Sequence, residues 1–314
     1  MKVLSLFDGI AGARQALKNL NIDCEYYASE IDKFAIQVAK NNHSDIIHIG
    51  DVNTIHFGEF ANDIDLLVAG FPCQDLSIAK RDGKGLDGAR SGLFYKCLEA
   101  LEIIKPKYFL FENVASMKKE WKDKISELLG VEPVMINSAL VTAQQRKRLY
   151  WVGKLQQNGT YKKVEIEQPQ DKGVLLKDII ESGDTEKLKS YCITATYSRA
   201  CPEDYFNHGQ RQLVFEPIKI GDIGKNNQSS RVYSIQGKSV CLNAGGGGGG
   251  AKTGLYKIDL PNGQYTVRKL TPTECARLQG FPNNYHDVIS NTQAYKCYGN
   301  SFTVPVIEHI LKNI

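Results

Sequence analysis

Four short stretches bring together residue types that do chemistry: Gly70-Phe71-Pro72-Cys73-Gln74, Phe111-Glu112-Asn113-Val114, Gln144-Gln145-Arg146-Lys147-Arg148 and Tyr298-Gly299-Asn300-Ser301. Cys73 follows the apolar run 64–69, so it falls on a loop at the C-terminal end of a predicted strand, where α/β sheets gather ligands. Pro72 stiffens that loop and fixes the direction of the thiol. As a thiolate Cys73 is a nucleophile; as a small buried thiol, the commoner case for a free cysteine, it only packs. Glu112 comes after Phe109, Leu110 and Phe111. Partial desolvation there would raise its pKa and let it donate a proton, whereas a capping or ion-paired glutamate would not. Arg146 and Arg148 lie two apart before Leu149-Tyr150-Trp151 and share one face if the segment is a strand. Paired guanidiniums suit phosphates, carbonyl oxygens or carboxylates, although an exposed basic edge has the same composition.

A second group reads as a ligand cradle. Phe7-Asp8-Gly9-Ile10-Ala11-Gly12 follows a predicted strand and opens a helix. Its glycines let backbone approach a ligand, and the helix N-terminus favours negative charge. It lacks the full G-x-G-x-x-G spacing and the lysine of a P-loop, so a plain tight turn explains it as well. Glu30 closes the second predicted strand, where a carboxylate can accept hydrogen bonds from ribose hydroxyls, and Asp51 closes the third, where it could receive an adenine amino group. Together they suggest an adenosyl cofactor; singly, each is also an ordinary solvated strand end. Gln228-Ser229-Ser230-Arg231, with Lys238, Lys252 and many glycines nearby, reads as a basic surface for phosphates or base edges, or as a surface loop with a glycine linker.

The scaffold for these residues follows from periodicity. Strands are predicted at 2–7, 24–29, 46–49, 64–69 and 108–111, alternating with helices at 13–20, 32–41, 93–104 and 122–129; late strands follow at 134–138 and 149–152. This alternation implies an α/β fold with a mostly parallel, doubly wound sheet, which sets Asp8, Glu30, Asp51 and Cys73 along one edge. After residue 183 the chain becomes polar and β-leaning and contains the run Gly245 to Gly250. Helical patterning returns at Thr271, and an apolar helix at 304–311 is placed to pack back on the first part. The expected division is a catalytic domain at 1–183, a smaller domain at 184–267 and a return to the first domain at 268–314.

Composition sets bounds on class. The 314 residues are 24% charged and 42% hydrophobic, with a formal net charge of +4, ordinary for a soluble globular protein and mildly favourable to nucleic acid. The eight cysteines include no C-x-x-C pair, so neither a zinc site nor a disulfide framework is expected, and no metal is expected at all. The N-terminus turns polar too early for a signal peptide, and no apolar run reaches the ~18 residues of a membrane span. A cytoplasmic protein without a membrane partner is expected.

The order of these pieces resembles the cytosine carbon-5 DNA methyltransferase family over nearly the whole chain. The resemblance is carried by Pro72-Cys73-Gln74, then Glu112-Asn113-Val114, then Gln144-x-Arg146-x-Arg148. It continues through Arg268-Lys269-Leu270-Thr271-Pro272, Glu274-Cys275-Ala276-Arg277-Leu278-Gln279-Gly280-Phe281-Pro282 and Gly299-Asn300-Ser301. It implies a Rossmann-like S-adenosylmethionine-dependent domain and a smaller β-rich target-recognition domain, with double-stranded DNA in the cleft between them and S-adenosylhomocysteine as product. Matched residue by residue, Cys73 is the nucleophile toward carbon-6 of cytosine. Glu112 holds or protonates ring N3, Arg148 binds the base carbonyl oxygen and Arg146 supports the loop. The match also gives Phe7, Gly9, Gly12, Glu30, Ile31, Asp51, Val52, Pro72, Leu93 and Asn300 to the cofactor. A thiol on a loop cannot reach a stacked base, so the resemblance implies base flipping.

Two stretches point to different branches. Ser5-Leu6-Phe7-Asp8-Gly9 and Cys73-Gln74-Asp75-Leu76-Ser77 look like the eukaryotic de novo branch. Residues 221–256, with Arg231-Val232-Tyr233-Ser234, a glycine run and Ala251-Lys252-Thr253-Gly254, are similar to the recognition stretch of small bacterial enzymes of the HhaI type. That similarity assigns DNA contacts to Gln228, Arg231 and Lys252 and favours a short G+C target of the GCGC kind. A compact, monomeric bacterial or phage-encoded enzyme associated with the nucleoid is expected, with room for a companion restriction endonuclease. Two alternatives compete. The tRNA-modifying branch usually carries a Cys-Phe-Thr stretch that is absent here, and a catalytically silent DNA-binding relative is opposed by intact Cys73, Glu112 and Arg148.

Overall fold

The computed structural model describes residues 1–72, 91–183, 185–217, 232–234, 255–257 and 265–314. The first half alternates strand and helix: β1 (Lys2–Leu6), α1 (Gly12–Asn19), β2 (Glu25–Ser29), α2 (Lys33–Asn42), β3 (Ile47–Gly50), β4 (Leu66–Ala69), α3 (Phe94–Ile104), β5 (Tyr108–Val114), α4 (Lys119–Leu129), β6 (Val134–Asn137), β7 (Lys147–Leu155) and β8 (Tyr161–Lys163). Among the described residues these eight strands form one sheet in the order β3-β2-β1-β4-β5-β7-β6, with β8 paired to the far half of β7. β1 to β5 run parallel and β7 runs antiparallel to its neighbours.

Alternation along the strands sends side chains into two apolar layers. Val3, Val68, Leu110, Tyr150 and Val152 face one layer with α1 and α2. Leu4, Leu67, Phe109, Phe111, Leu149 and Trp151 face the other with α3 and α4. A strand buried on both faces needs such a continuous apolar run, which is why these segments read as unbroken hydrophobic stretches.

Beyond β8 lie α5 (Pro202–Phe206), β9 (Leu213–Pro217), β10 (Val232–Ser234), β11 (Leu255–Lys257), β12 (Tyr265–Lys269), α6 (Pro272–Gln279), α7 (Asn291–Asn300) and α8 (Val304–Leu311). β9 pairs antiparallel with β12, and β10 pairs with β11 in parallel. The short helix α5 was not expected from the β-leaning sequence; Pro202 at its first position and Glu203 and Asp204 in its first turn favour it locally. α6, α7 and α8 pack in the layer of α1, and Asn19 of α1 donates to Glu308 of α8 at 2.6 Å. Among the described residues no helix is long and apolar enough to cross a membrane.

Glu181 and the segment 268–274 are tied together. Glu274 is fully buried and accepts both terminal nitrogens of Arg268 at 2.8 Å, with further bonds from the Thr271 and Glu181 backbone N–H groups. This one carboxylate joins the backbone at residue 181 to Arg268 and Thr271.

Candidate active site

The strand order reverses between β1 and β4, the position at which open α/β sheets bind ligands. Two loops leave the sheet there, one after β1 and one after β4. Phe302 lies against both. A methyl group added to Gly70 would fall 2.9 Å from the Phe302 ring, and one added to Gly12 would fall 3.3 Å from Phe302 Cβ. Glycine at both positions lets this ring close the gap between the loops.

The loop after β1 is strained. Phe7, Gly9 and Ala11 have φ of 56°, 61° and 62°, and the left-handed region costs a non-glycine residue about 1–2 kcal/mol. Hydrogen bonds from its surroundings hold it. Asp8 N–H donates to Ser29 O at 3.0 Å and Gly9 N–H to Glu30 Oε2 at 2.8 Å, while Ile10 O accepts from the Tyr285 hydroxyl at 2.8 Å. Glu30 Oε1 also accepts the N–H groups of Ile31 and Asp32, at 2.7 and 2.8 Å. So Glu30 organises backbone on both sides and keeps lone pairs for a further donor. Among the described residues, a methyl group on Gly9 would meet nothing within 4 Å.

The other cofactor candidates surround this loop. Ile31 is 72% exposed, an apolar side chain left without protein cover beside Glu30. Asp51 caps the turn that begins at the buried Val52, and its Oδ1 takes both the backbone and the side-chain N–H of Asn53. Asn300 is exposed at the end of α7. Pro72 and Leu93 stand on either side of residues 73–90. Cys73, Gln228, Arg231 and Lys252 lie outside the described residues.

Glu112 and Arg148 meet across β5 and β7. Arg148 Nε lies 2.8 Å from Glu112 Oε1, with the two side chains 15% and 13% exposed. Glu112 therefore pairs with a guanidinium; in the pleat Phe109 and Phe111 point into one layer and Leu110 into the other, and the carboxylate stands beyond them. Its Oε2 lies 3.8 Å from where a methyl group on Gly70 would sit, so the ion pair is beside the start of the Cys73 loop. Asn113 donates to Phe71 O at 3.1 Å and fixes that loop to β5.

Arg146 does not act beside Arg148 as a pair. It is buried, precedes β7, and donates to the carbonyls of Ile193, Gly299 and Ser301 at 3.0, 3.1 and 2.9 Å. Burial, together with nearby Arg148, pushes its pKa down from the usual guanidinium range. Gly299 has to be a glycine here, because a methyl group would fall 2.3 Å from the Ala195 backbone nitrogen. Arg146 thus locks the turn that carries Asn300 to the segment around residue 193.

Three residues near the loop had no distinguishing sequence signal beyond position. Asp8 is buried, and its Oδ1 accepts the Tyr26 hydroxyl at 2.7 Å. Burial pushes this carboxyl up to about 7, against the pull of the Ser5 and Tyr26 hydroxyls. Tyr285 reaches Ile10 from 275 residues away in sequence, and His43 reaches the Tyr285 hydroxyl from 242 away, contacts that only the fold reveals.

Comparison with known proteins agrees with this geometry. The family description "C-5 cytosine-specific DNA methylase" matches residues 1–314. The chain is 31% identical to the Type II methyltransferase M.HhaI of Haemophilus parahaemolyticus, over 100% of this chain and 94% of that one. It is also 31% identical to the Type II methyltransferase M.HpaII of Haemophilus parainfluenzae, over 99% and 88%. The methyltransferase EhMeth of Entamoeba histolytica superposes with a TM-score of 0.67 at 18% identity, over 100% and 97% of the two chains. The chain belongs to the C-5 cytosine-specific DNA methylase family and is a DNA (cytosine-5-)-methyltransferase.

Proposed function

We propose that the chain methylates cytosine in duplex DNA through a covalent adduct of Cys73, with S-adenosylmethionine as methyl donor. The observation that carries this reading is the Glu112–Arg148 pair beside the loop that leads from Gly70 to Cys73. A carboxyl and a guanidinium side by side match the N3 and O2 edge of cytosine. Glu112 holds or protonates N3, Arg148 binds O2, and the ring becomes electrophilic at carbon-6. The Cys73 thiolate adds there and carbon-5 becomes nucleophilic; carbon-5 would take the methyl group from the bound donor, which would leave as S-adenosylhomocysteine, and loss of the carbon-5 proton then expels Cys73. Arg146 positions the turn bearing Asn300.

S-adenosylmethionine, when bound, supplies the methyl group. The residues present fit it: Glu30 with spare acceptor capacity for ribose hydroxyls, Asp51 for an adenine amino group, exposed Ile31 as an apolar face, and Gly9, where an added methyl group would meet nothing within 4 Å among the described residues. Phe7, Gly12, Val52, Pro72, Leu93 and Asn300 complete the proposed site.

Residues 184–267 are proposed as the target-recognition domain, with Gln228, Arg231 and Lys252 contacting DNA at a G+C target of the GCGC kind. A monomer working beside a restriction endonuclease in a bacterial cytoplasm is proposed; the Type II methyltransferase relatives support the restriction-modification setting alone. The deciding experiment is conversion sequencing of DNA from cells expressing the chain, run beside labelled-methyl transfer to duplex DNA and to tRNA in vitro. Methylated cytosine at one short DNA motif supports the reading; label in tRNA alone overturns it.

A further inference from the structure

The strained loop at 7–11 needs support from outside itself, and helix α2 supplies it at both ends. Its N-cap, Asp32, gives a backbone N–H to Glu30, whose other oxygen holds Gly9. Its C-cap, His43, is buried, and Nε2 lies 3.0 Å from the Tyr285 hydroxyl. That hydroxyl donates to Ile10 O at 2.8 Å. A tyrosine has one hydroxyl proton, and a carbonyl can only accept, so that proton is committed to Ile10. Both contacts are then satisfied when His43 Nε2 carries the hydrogen and donates to the tyrosine oxygen.

Other features hold Tyr285 to this task. Asn42, the last residue of α2, donates to Tyr285 O at 2.8 Å, and the Tyr285 ring packs 4.5 Å from that of Phe281. Burial, with Arg14 and Lys18 nearby, pushes His43 down to about 4, so it is neutral near pH 7 and its one N–H has a fixed place.

We propose that Tyr285 is a positioning residue for the cofactor loop, and that His43 orients it through an Nε2–H donor. The chain of bonds from His43 to Tyr285 to Ile10 holds the backbone between Phe7 and Ala11 in the conformation that receives the adenosyl ligand. The proposal rests on the S-adenosylmethionine reading above.

The test is calorimetric binding of S-adenosylhomocysteine to the full chain, with DNA affinity in the absence of ligand as the control for folding. Tyr285→Phe removes one oxygen and should weaken binding about fivefold, the scale of one hydrogen bond, while DNA affinity stays within twofold. His43→Phe should weaken it similarly. His43→Gln places an amide N–H near the Nε2 position and should restore most of the loss. His43→Phe added to Tyr285→Phe should cost nothing more, because the two act through one chain of bonds. Wild-type affinity in Tyr285→Phe, or additive losses in the double variant, would overturn the proposal. If Tyr285→Phe does not fold, the comparison of His43→Phe with His43→Gln decides: equal losses overturn it and rescue by glutamine supports it. A wild-type chain that binds no S-adenosylhomocysteine would sink the cofactor reading itself, a result separate from any of these.

Discussion

Glu112 and Arg148 face each other from antiparallel strands, Oε1 to Nε at 2.8 Å, with each side chain mostly withdrawn from solvent. Their register, Val114 opposite Arg148 and Glu112 opposite Tyr150, places them diagonally across the strand ends. In this position each charge fixes the other's direction.

Glu112→Gln keeps the shape but removes the proton donor. Methyl transfer should fall by roughly 10²–10⁴-fold, the usual worth of a general acid. Affinity for S-adenosylhomocysteine should not move. Single-turnover transfer of labelled methyl groups measures the first and calorimetry the second; a rate within threefold of wild type would remove Glu112 from the chemistry.

Arg146→Ala should act on stability first. Three backbone carbonyls, of Ile193, Gly299 and Ser301, lose a charged donor inside the protein. A loss of about 3 kcal/mol is expected, since hydrogen bonds to charged groups contribute about 1.5–3 kcal/mol each and part is recovered by relaxation. Urea unfolding measures it. A loss below about 1 kcal/mol would mean the turn at Asn300 is held by other contacts.

Asp8 sets a pH dependence whose sign can be worked out. In the folded chain it keeps its proton up to about 7, whereas an aspartate in the unfolded chain loses it near 3.8. Between those values the folded state binds the extra proton, so Asp8's contribution to stability is full at the acid end and is lost as pH rises through 7. Asp8→Asn removes this dependence and keeps an acceptor for Tyr26. Its Tm should change less between pH 5 and pH 8 than that of the wild type. Thermal scans giving parallel pH profiles for both proteins would show that Asp8 does not titrate in this window.

Arg231 and Lys252 are separated by what they are proposed to read. Arg231→Ala should cost roughly 1–3 kcal/mol on the true target and relax preference at one base pair, as loss of a bidentate contact to guanine does. Lys252→Ala should weaken all sequences about equally and lower the salt dependence of binding. Binding to a panel of single-base variants separates the two. An Arg231→Ala protein with full preference would move recognition elsewhere, most plainly to residues 192–211.

Much of the scaffold was legible because it is local. The apolar runs at 2–6, 66–69 and 108–111 are strands buried on both faces, and 33–42 has the helical period and an Asp32 cap that accepts from Phe34 and Ala35. The edge that carries Glu30, Asp51 and the end of β4 follows from strand order alone. What was not legible depends on long-range contact. Arg146 and Arg148 look alike in sequence, yet one is drawn into the carbonyls of residues 193, 299 and 301 and the other to a carboxylate on β5. For Glu112 the sequence left desolvation and ion pairing both open, because nothing near it in sequence names Arg148 as its partner. His43 and Tyr285 carry no motif at all, and the Arg268–Glu274 clamp becomes visible only where the chain crosses itself near Glu181.

The contact between Tyr285 and Ile10 spans 275 residues, and Phe302 closes the gap between the loops at Gly12 and Gly70. The first ligand-binding loop to leave the ribosome is therefore among the last parts to be finished. Until residues 281–302 have emerged and docked, the nascent chain carries its sheet but holds a loop with two left-handed non-glycine residues and no tyrosine to restrain it. Contacts of such separation form late. A partly made chain should thus leave this loop unrestrained until residues 281–302 have docked, however much of its sheet has already formed.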